Sequence, residues 1–173
     1  LCEYYGLPEI AGYWASVVHI NEWQTDRFFQ SILHQLFNTL AGKAIALLGF
    51  AFKQDTGDTR DSPAIPLCEK LLGEHAKVRV HDPKALENAR IDLKDMQGDV
   101  RFVEDVYETL DGAHAIALVT QWAEYRELDF ERIYNKMVKP AFIFDGRNHL
   151  EHEKLFEIGF NVFPLGKPPL KHV

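Results

Sequence analysis

Lys43-Ala44-Ile45-Ala46-Leu47-Leu48-Gly49 decides the fold of this chain. Five apolar residues follow one another with no polar alternation, the pattern of a strand covered on both faces. Gly49 ends the run. A loop of about 13 residues, Phe50 to Ser62, comes next, where two to six is usual. Pro63 then opens a helix that Gly73 closes. A buried strand, a long loop at its carboxyl end and a helix form the opening unit of a parallel α/β sheet.

The same alternation continues outward. Strands are predicted at 78–80, 101–103, 115–119, 141–144 and 160–162. Helices are predicted at 106–110, at 130–137 (stopped before Pro140) and at 150–158. Residues 41–163 therefore read as α/β: a Rossmann-like, doubly wound parallel sheet of about six strands, preceded by a long helix. Residues 1–40 read as that helical part, with Leu1 to Tyr5 already mid-helix and a break at Gly6-Leu7 before Pro8. Ile10, Tyr13, Trp14, Val17, Val18, Phe28, Phe29, Ile32, Leu33, Leu36 and Phe37 recur at steps of three and four. About 30 residues at ~1.5 Å rise give a rod of ~45 Å, with Asn21 as the place where it could break. So much aromatic surface predicts a partner for part of this helix. Residues 164–173, with three prolines and two lysines, read as a loose tail.

Composition bounds the function. The chain has 173 residues, 46% hydrophobic and 26% charged, which suits a globular domain with its own core. Nineteen basic against 26 acidic residues give a net charge of −7. That balance argues against nucleic acid or a membrane surface as partner. No apolar run is long enough to span a bilayer. Cys2 and Cys68 are too few for a disulfide framework and suit a reducing, cytoplasmic setting. The chain starts at Leu1 without a signal peptide, which reads most simply as a piece of a longer protein.

In an open parallel sheet, ligands sit at the carboxyl ends of the strands. Gly49-Phe50-Ala51-Phe52-Lys53 lacks the second glycine of a dinucleotide fingerprint, so an ordinary NAD site is not expected there. The loop does offer Lys53 as a point charge, Arg60 as a planar fork and Phe52 as a flat face, a set suited to gripping a nucleotide diphosphate. Its charges could instead pair with one another, since Asp55, Asp58 and Asp61 lie beside them. Asp82 could hold a ribose or simply turn the chain before Pro83. Trp122 could stack on a base or cover the core. Phe144-Asp145-Gly146-Arg147 delivers Arg147 to the crevice, unless Asp145 pairs with it. His149, His152 and Glu153 lack a third partner at metal spacing and read as a surface helix. Both cysteines read as structural. No catalytic set is visible, so the chain reads as a binding domain.

LCEYYGLPEIAGYW (1–14), LFNTLAGKAIALLGFAFKQDTGDTRDSPA (36–64), DGAHAIALVTQW (111–122) and KPAFIFDGRN (139–148) resemble the C-terminal part of the UDP-glucose/GDP-mannose dehydrogenase family, most of all its UDP-glucose dehydrogenases. The resemblance runs to about Gly166, with a variable middle around 84–100. It implies a UDP-sugar-binding domain of an enzyme that oxidises UDP-glucose to UDP-glucuronate with two NAD⁺. In that family a catalytic cysteine precedes the position of Leu1 by about a dozen residues, and NAD is bound mainly by an N-terminal domain. By position, Phe52, Lys53 and Arg147 match substrate contacts, and Arg60 matches an Arg that reaches NAD. The long helix matches the element through which the family forms homo-oligomers. Gln54 departs from the animal-type pattern, which has Lys, and His149 is also untypical. The resemblance leaves two alternatives: a related GDP-mannose or UDP-N-acetyl-sugar dehydrogenase, or a freestanding nucleotide-binding or assembly module without chemistry. UDP against GDP competition separates the first. The gene upstream of Leu1 separates the second.

Overall fold

The computed structural model describes residues 1–172. It begins with one helical turn that closes at Gly6. The Leu7 N–H reaches the Cys2 carbonyl at 2.9 Å and the Gly6 N–H the Glu3 carbonyl at 3.0 Å, with Gly6 at φ 72°. This is a Schellman ending, which needs a left-handed residue. Leu1 to Tyr5 thus form one hydrogen-bonded turn closed at Gly6, separate from the long helix that follows.

Helix α1, Pro8–Gln35, follows without interruption for 28 residues, about 42 Å at the standard rise. Asn21 does not break it. One Asn costs a helix only a few tenths of a kcal/mol relative to its neighbours. Past its end, the Lys43 ammonium donates to the carbonyls of Leu36 at 2.9 Å and Thr39 at 2.6 Å, holding the turn below the helix. The expected single apolar face divides in two. Phe28, Phe29 and Ile32 are buried, whereas Ile10, Tyr13, Trp14, Val17 and Val18 are exposed. Phe37 leaves the face altogether because it sits at φ 65°, beyond the helix.

Six parallel strands form one sheet: β1 (Ala44–Leu48), β2 (Lys77–His81), β3 (Asp99–Phe102), β4 (Ala115–Leu118), β5 (Phe142–Asp145) and β6 (Asn161–Pro164). Their order is β3-β2-β1-β4-β5-β6. This is the doubly wound order, with its reversal between β1 and β4. β1, β4, β5 and β6 are buried along their whole length. The crossovers carry α2 (Ala64–Gly73), α3 (Leu86–Asp92), α4 (Val106–Leu110), a 3-10 turn at Ala123–Arg126, α5 (Phe130–Lys136) and α6 (His152–Ile158). Asp105 and Asp129 cap α4 and α5, their carboxylates accepting from Glu108 N and Arg132 N at 2.9 Å.

Helix α3 lies where the sequence predicted none. Leu86 and Ala89 are its buried side, continued by Leu93 just past its end. Their spacing is helical, but a single small Ala and a run of charges mute it. The tail is not loose. Residues 165–172 fold back along β6, where Val162 and Leu170 form an antiparallel bridge. The His172 N–H donates to Asn161 Oδ1 at 2.8 Å, and its ring stacks on Phe156 at 4.0 Å. Leu170 thereby covers part of the sheet edge that β6 would otherwise leave open.

Candidate functional site

The loop after β1 divides into an inner and an outer half. Phe50 and Ala51 are fully buried, while Phe52 is 48% exposed. Phe52, Lys53 and Gln54 form the outer rim, all exposed. What pulls the first two residues inward is the Asp82 carboxylate. Its Oδ2 accepts from the N–H groups of Phe50 at 2.6 Å and Ala51 at 2.9 Å, and from the Trp122 indole at 3.0 Å. Its Oδ1 accepts from Lys84 N at 2.9 Å and Ala85 N at 2.7 Å. A buried carboxylate is tolerated when donors surround it, and this one has five. Asp82 therefore has the turn role and not the ribose role. Trp122 is 5% exposed and covers the core.

The rest of the loop is tied down at three points. Ser62 Oγ donates to the Phe50 carbonyl at 2.7 Å. The Phe52 N–H donates to the Asp58 carbonyl at 2.9 Å. The Asn88 amide, from α3, donates to the Gly57 carbonyl at 2.6 Å. At the base, Gly49 has φ 88°, and a Cβ there would lie 2.5 Å from the Cβ of Thr120. Only glycine allows the two chains leaving β1 and β4 to come this close.

Mutual pairing holds for Arg60 but not for Lys53. The Arg60 guanidinium grips Asp58, with Nη2 to Oδ2 at 2.7 Å and Nε to Oδ1 at 3.0 Å, and its side chain is 86% exposed. The guanidinium holds the Asp58 carboxyl down to about 2. Lys53 forms no ion pair among the described residues.

The second cation comes from the turn after β5. Arg147 is exposed. It does not pair with Asp145. Its Nε donates to the Val119 carbonyl at 2.5 Å, and burial of that part lowers its pKa from the ordinary guanidinium value. Asp145, fully buried, shapes the turn instead. Oδ1 accepts from the Arg147 N–H at 2.9 Å, and Oδ2 accepts from the N–H groups of His149 at 2.8 Å and Leu150 at 2.9 Å. His152 Nε2 is 2.9 Å from the same oxygen. His152 is therefore not on a surface helix; it is 5% exposed and ties α6 to the turn. His149 Nε2 donates to the Trp122 carbonyl at 3.0 Å. No cluster of metal-ligating residues exists among the described residues.

The sheet order puts β4 between β1 and β5. Phe52 and Lys53 thus leave the same carboxyl edge as Arg147, two strand spacings or roughly 10 Å apart along the sheet. Arg60 lies farther along the same loop, turned onto Asp58. Thr120 organises this edge without having been singled out in the sequence, where Asp145 was named only as a possible partner of Arg147 and His152 only as part of a surface helix. An Asp closing an apolar strand, followed seven residues later by a His, is the signal that could have found the last pair. Cys68 is buried, and desolvation pushes its thiol up to about 12, so it is structural. Cys2 is half-buried and free.

Residues 46–152 match the UDP-binding domain of the UDP-glucose/GDP-mannose dehydrogenase family. UDP-glucose 6-dehydrogenase 5 of Oryza sativa subsp. japonica is 45% identical over 97% of this chain and 39% of its own length. UDP-glucose 6-dehydrogenase 1 of Arabidopsis thaliana is 44% identical over the same shares, 97% and 39%. The chain thus spans about two fifths of the length of these curated relatives. Among solved structures, a UDP-glucose dehydrogenase from the archaeon Pyrobaculum islandicum superposes with a TM-score of 0.70 at 30% identity, covering 92% of this chain and 34% of that one. A sequence match through the loop after β1 and the turn after β5, on a sheet of the same order as the site requires, leads to one conclusion: the chain belongs to the UDP-glucose/GDP-mannose dehydrogenase family and carries its UDP-binding domain.

Proposed function

We propose that this chain is the substrate-holding part of an NAD-dependent UDP-glucose 6-dehydrogenase, in which UDP-glucose is oxidised to UDP-glucuronate. The observation that carries the reading is the presence of two cations, Lys53 and Arg147, on one sheet edge with neither side chain paired to a carboxylate among the described residues. A diphosphate supplies the missing negative charge. Phe52, exposed beside Lys53, offers a face to the nucleotide.

The chain's own crevice does not fit a dinucleotide. The Phe50 and Ala51 N–H groups, which would face a pyrophosphate in an NAD site, are taken by Asp82. NAD is therefore assigned to another domain of the full-length protein, and no oxidation step is assigned to residues of this chain. Arg60, exposed at the loop's far end, is the residue assigned to reach NAD held there. Cys68, buried with its thiol pushed up to about 12, lacks the features of a nucleophile, and Cys2 is assigned no catalytic role.

The same reading puts the protein in the cytoplasm, in keeping with two free thiols. No helix of the described residues is long and apolar enough to cross a membrane. The exposed Ile10, Tyr13, Trp14, Val17 and Val18 of α1 suit contact with a second copy in a homo-oligomer.

The test is Lys53→Ala in the full-length protein, titrated with UDP. Loss of one charge-assisted contact, about 1.5–3 kcal/mol, weakens binding about 10–100-fold. Unchanged affinity overturns the reading.

A further inference from the structure

Between the two cations lies a segment that carries no charge, Val119 to Trp122, leaving β4. We infer that this segment sets the placement of Lys53 relative to Arg147, and that Thr120 and Trp122 are positioning residues for the substrate. The inference rests on the reading of Lys53 and Arg147 as substrate contacts.

Four side-chain contacts meet on these four residues. On the β1 side, Thr120 Oγ1 donates to the Ala51 carbonyl at 2.5 Å, one residue before Phe52 and two before Lys53. Also on that side, the Trp122 indole donates to the Asp82 oxygen that holds the Phe50 and Ala51 N–H groups. On the β5 side, Arg147 Nε donates to the Val119 carbonyl and His149 Nε2 to the Trp122 carbonyl. The segment itself is fixed to the sheet, its Val119 N–H donating to the Leu48 carbonyl at 2.9 Å. Thr120 is fully buried and Trp122 nearly so. Neither side chain is open to a ligand, so any effect on binding passes through the residues they hold.

The arrangement has a chemical reason. Lys53 is a flexible point charge that forms no ion pair among the described residues. Its aim depends on where the backbone at Ala51 sits. Arg147 keeps one guanidinium N–H on Val119 and leaves the rest of the fork for the ligand. One short segment bonds to the backbone two residues before Lys53 and to the Arg147 side chain itself, and so fixes the places from which the two charges reach.

Thr120→Val keeps the shape and removes the hydroxyl donor; Thr120→Ser keeps the donor. Trp122→Phe keeps a ring and removes the indole donor. Each is made in the full-length protein and titrated with UDP, with thermal unfolding followed alongside. Thr120→Val and Trp122→Phe are expected to weaken UDP binding about 3- to 10-fold, the worth of one ordinary hydrogen bond. Thr120→Ser is expected to bind as the unmodified protein does. Adding Lys53→Ala to Thr120→Val should weaken binding by less than the product of the two separate losses, because both act on one contact. Full affinity in Thr120→Val and Trp122→Phe, or strictly multiplicative losses in the double variant, overturns the inference. If Lys53→Ala and Arg147→Ala alone leave UDP affinity unchanged, the underlying reading fails, and that result is distinguishable because the positioning variants are then irrelevant to binding. Should Thr120→Val not fold, Trp122→Phe and its double variant with Lys53→Ala decide the question in the same way.

Discussion

The indole N–H of Trp122 reaches the Oδ2 atom of Asp82 at 3.0 Å, across 40 residues of chain. That bond joins the end of β4 to the turn after β2, over the loop that leaves β1. Two buried carboxylates, Asp82 after β2 and Asp145 at the end of β5, collect the backbone N–H groups of the turns around them. The turns that carry the rim cations are shaped by carboxylates beneath them, through backbone N–H groups and not through ion pairs.

Asp82→Asn should be among the most disruptive single-atom changes in the domain. The new amide nitrogen would face N–H donors that now meet a charged acceptor. Loss of about 2–4 kcal/mol of stability is expected. Urea unfolding of the variant checks it; a midpoint unchanged from the parent would refute the role given to Asp82.

Gly49→Ala should be comparably severe for a steric reason. The new Cβ would meet the Thr120 Cβ at 2.5 Å and its N at 2.6 Å, at a φ of 88° that L residues avoid. Strain and overpacking together cost about 3–5 kcal/mol. Thermal unfolding is the measurement, and a variant as stable as the parent would show that the two chains can separate freely.

Burial lowers the pKa of His81 below its ordinary value of 6.5, against the opposing pull of Glu124 and Asp82. Between 6.5 and that lower folded value, the unfolded chain binds a proton that the folded chain does not. Stability should therefore fall as pH drops through this window and recover above it. His81→Gln should lessen the fall. Unfolding midpoints at pH 7.5 and 5.5 that change equally in both proteins would count against His81 as a source.

Arg60→Ala in the full-length protein should raise KM for NAD about 10-fold, one charge-assisted contact, while leaving UDP affinity intact. The opposite pattern would reassign Arg60 to the substrate. Because Asp58 stays ionised down to about 2, its pairing with Arg60 should be insensitive to pH between 5 and 9.

Much of this molecule was legible in its sequence. The apolar runs at Ala44–Leu48, Ala115–Val119 and Ala141–Phe144 announce buried parallel strands, because a strand covered on both faces needs no alternation. Lys53, Arg60 and Arg147 stood out because charges that follow buried strands are delivered to one edge. Helix α3 was not legible, since only Leu86, Ala89 and Leu93 carry its period. Nor was the docking of residues 165–172, which depends on an antiparallel bridge with no local signal.

What the sequence determined by itself was the order of elements and the residue types at the ends of the strands. These follow from local periodicity and from the turn chemistry of Gly, Pro and Asp. Only the tertiary structure decided which charges stay free. Asp58 takes Arg60, Asp82 takes the amides of Phe50 and Ala51, Asp145 takes its own turn, and Lys53 forms no ion pair among the described residues. The sequence puts acids beside each of these bases alike. Which of them meet is settled by backbone atoms brought together from distant strands, and no local pattern encodes that distance.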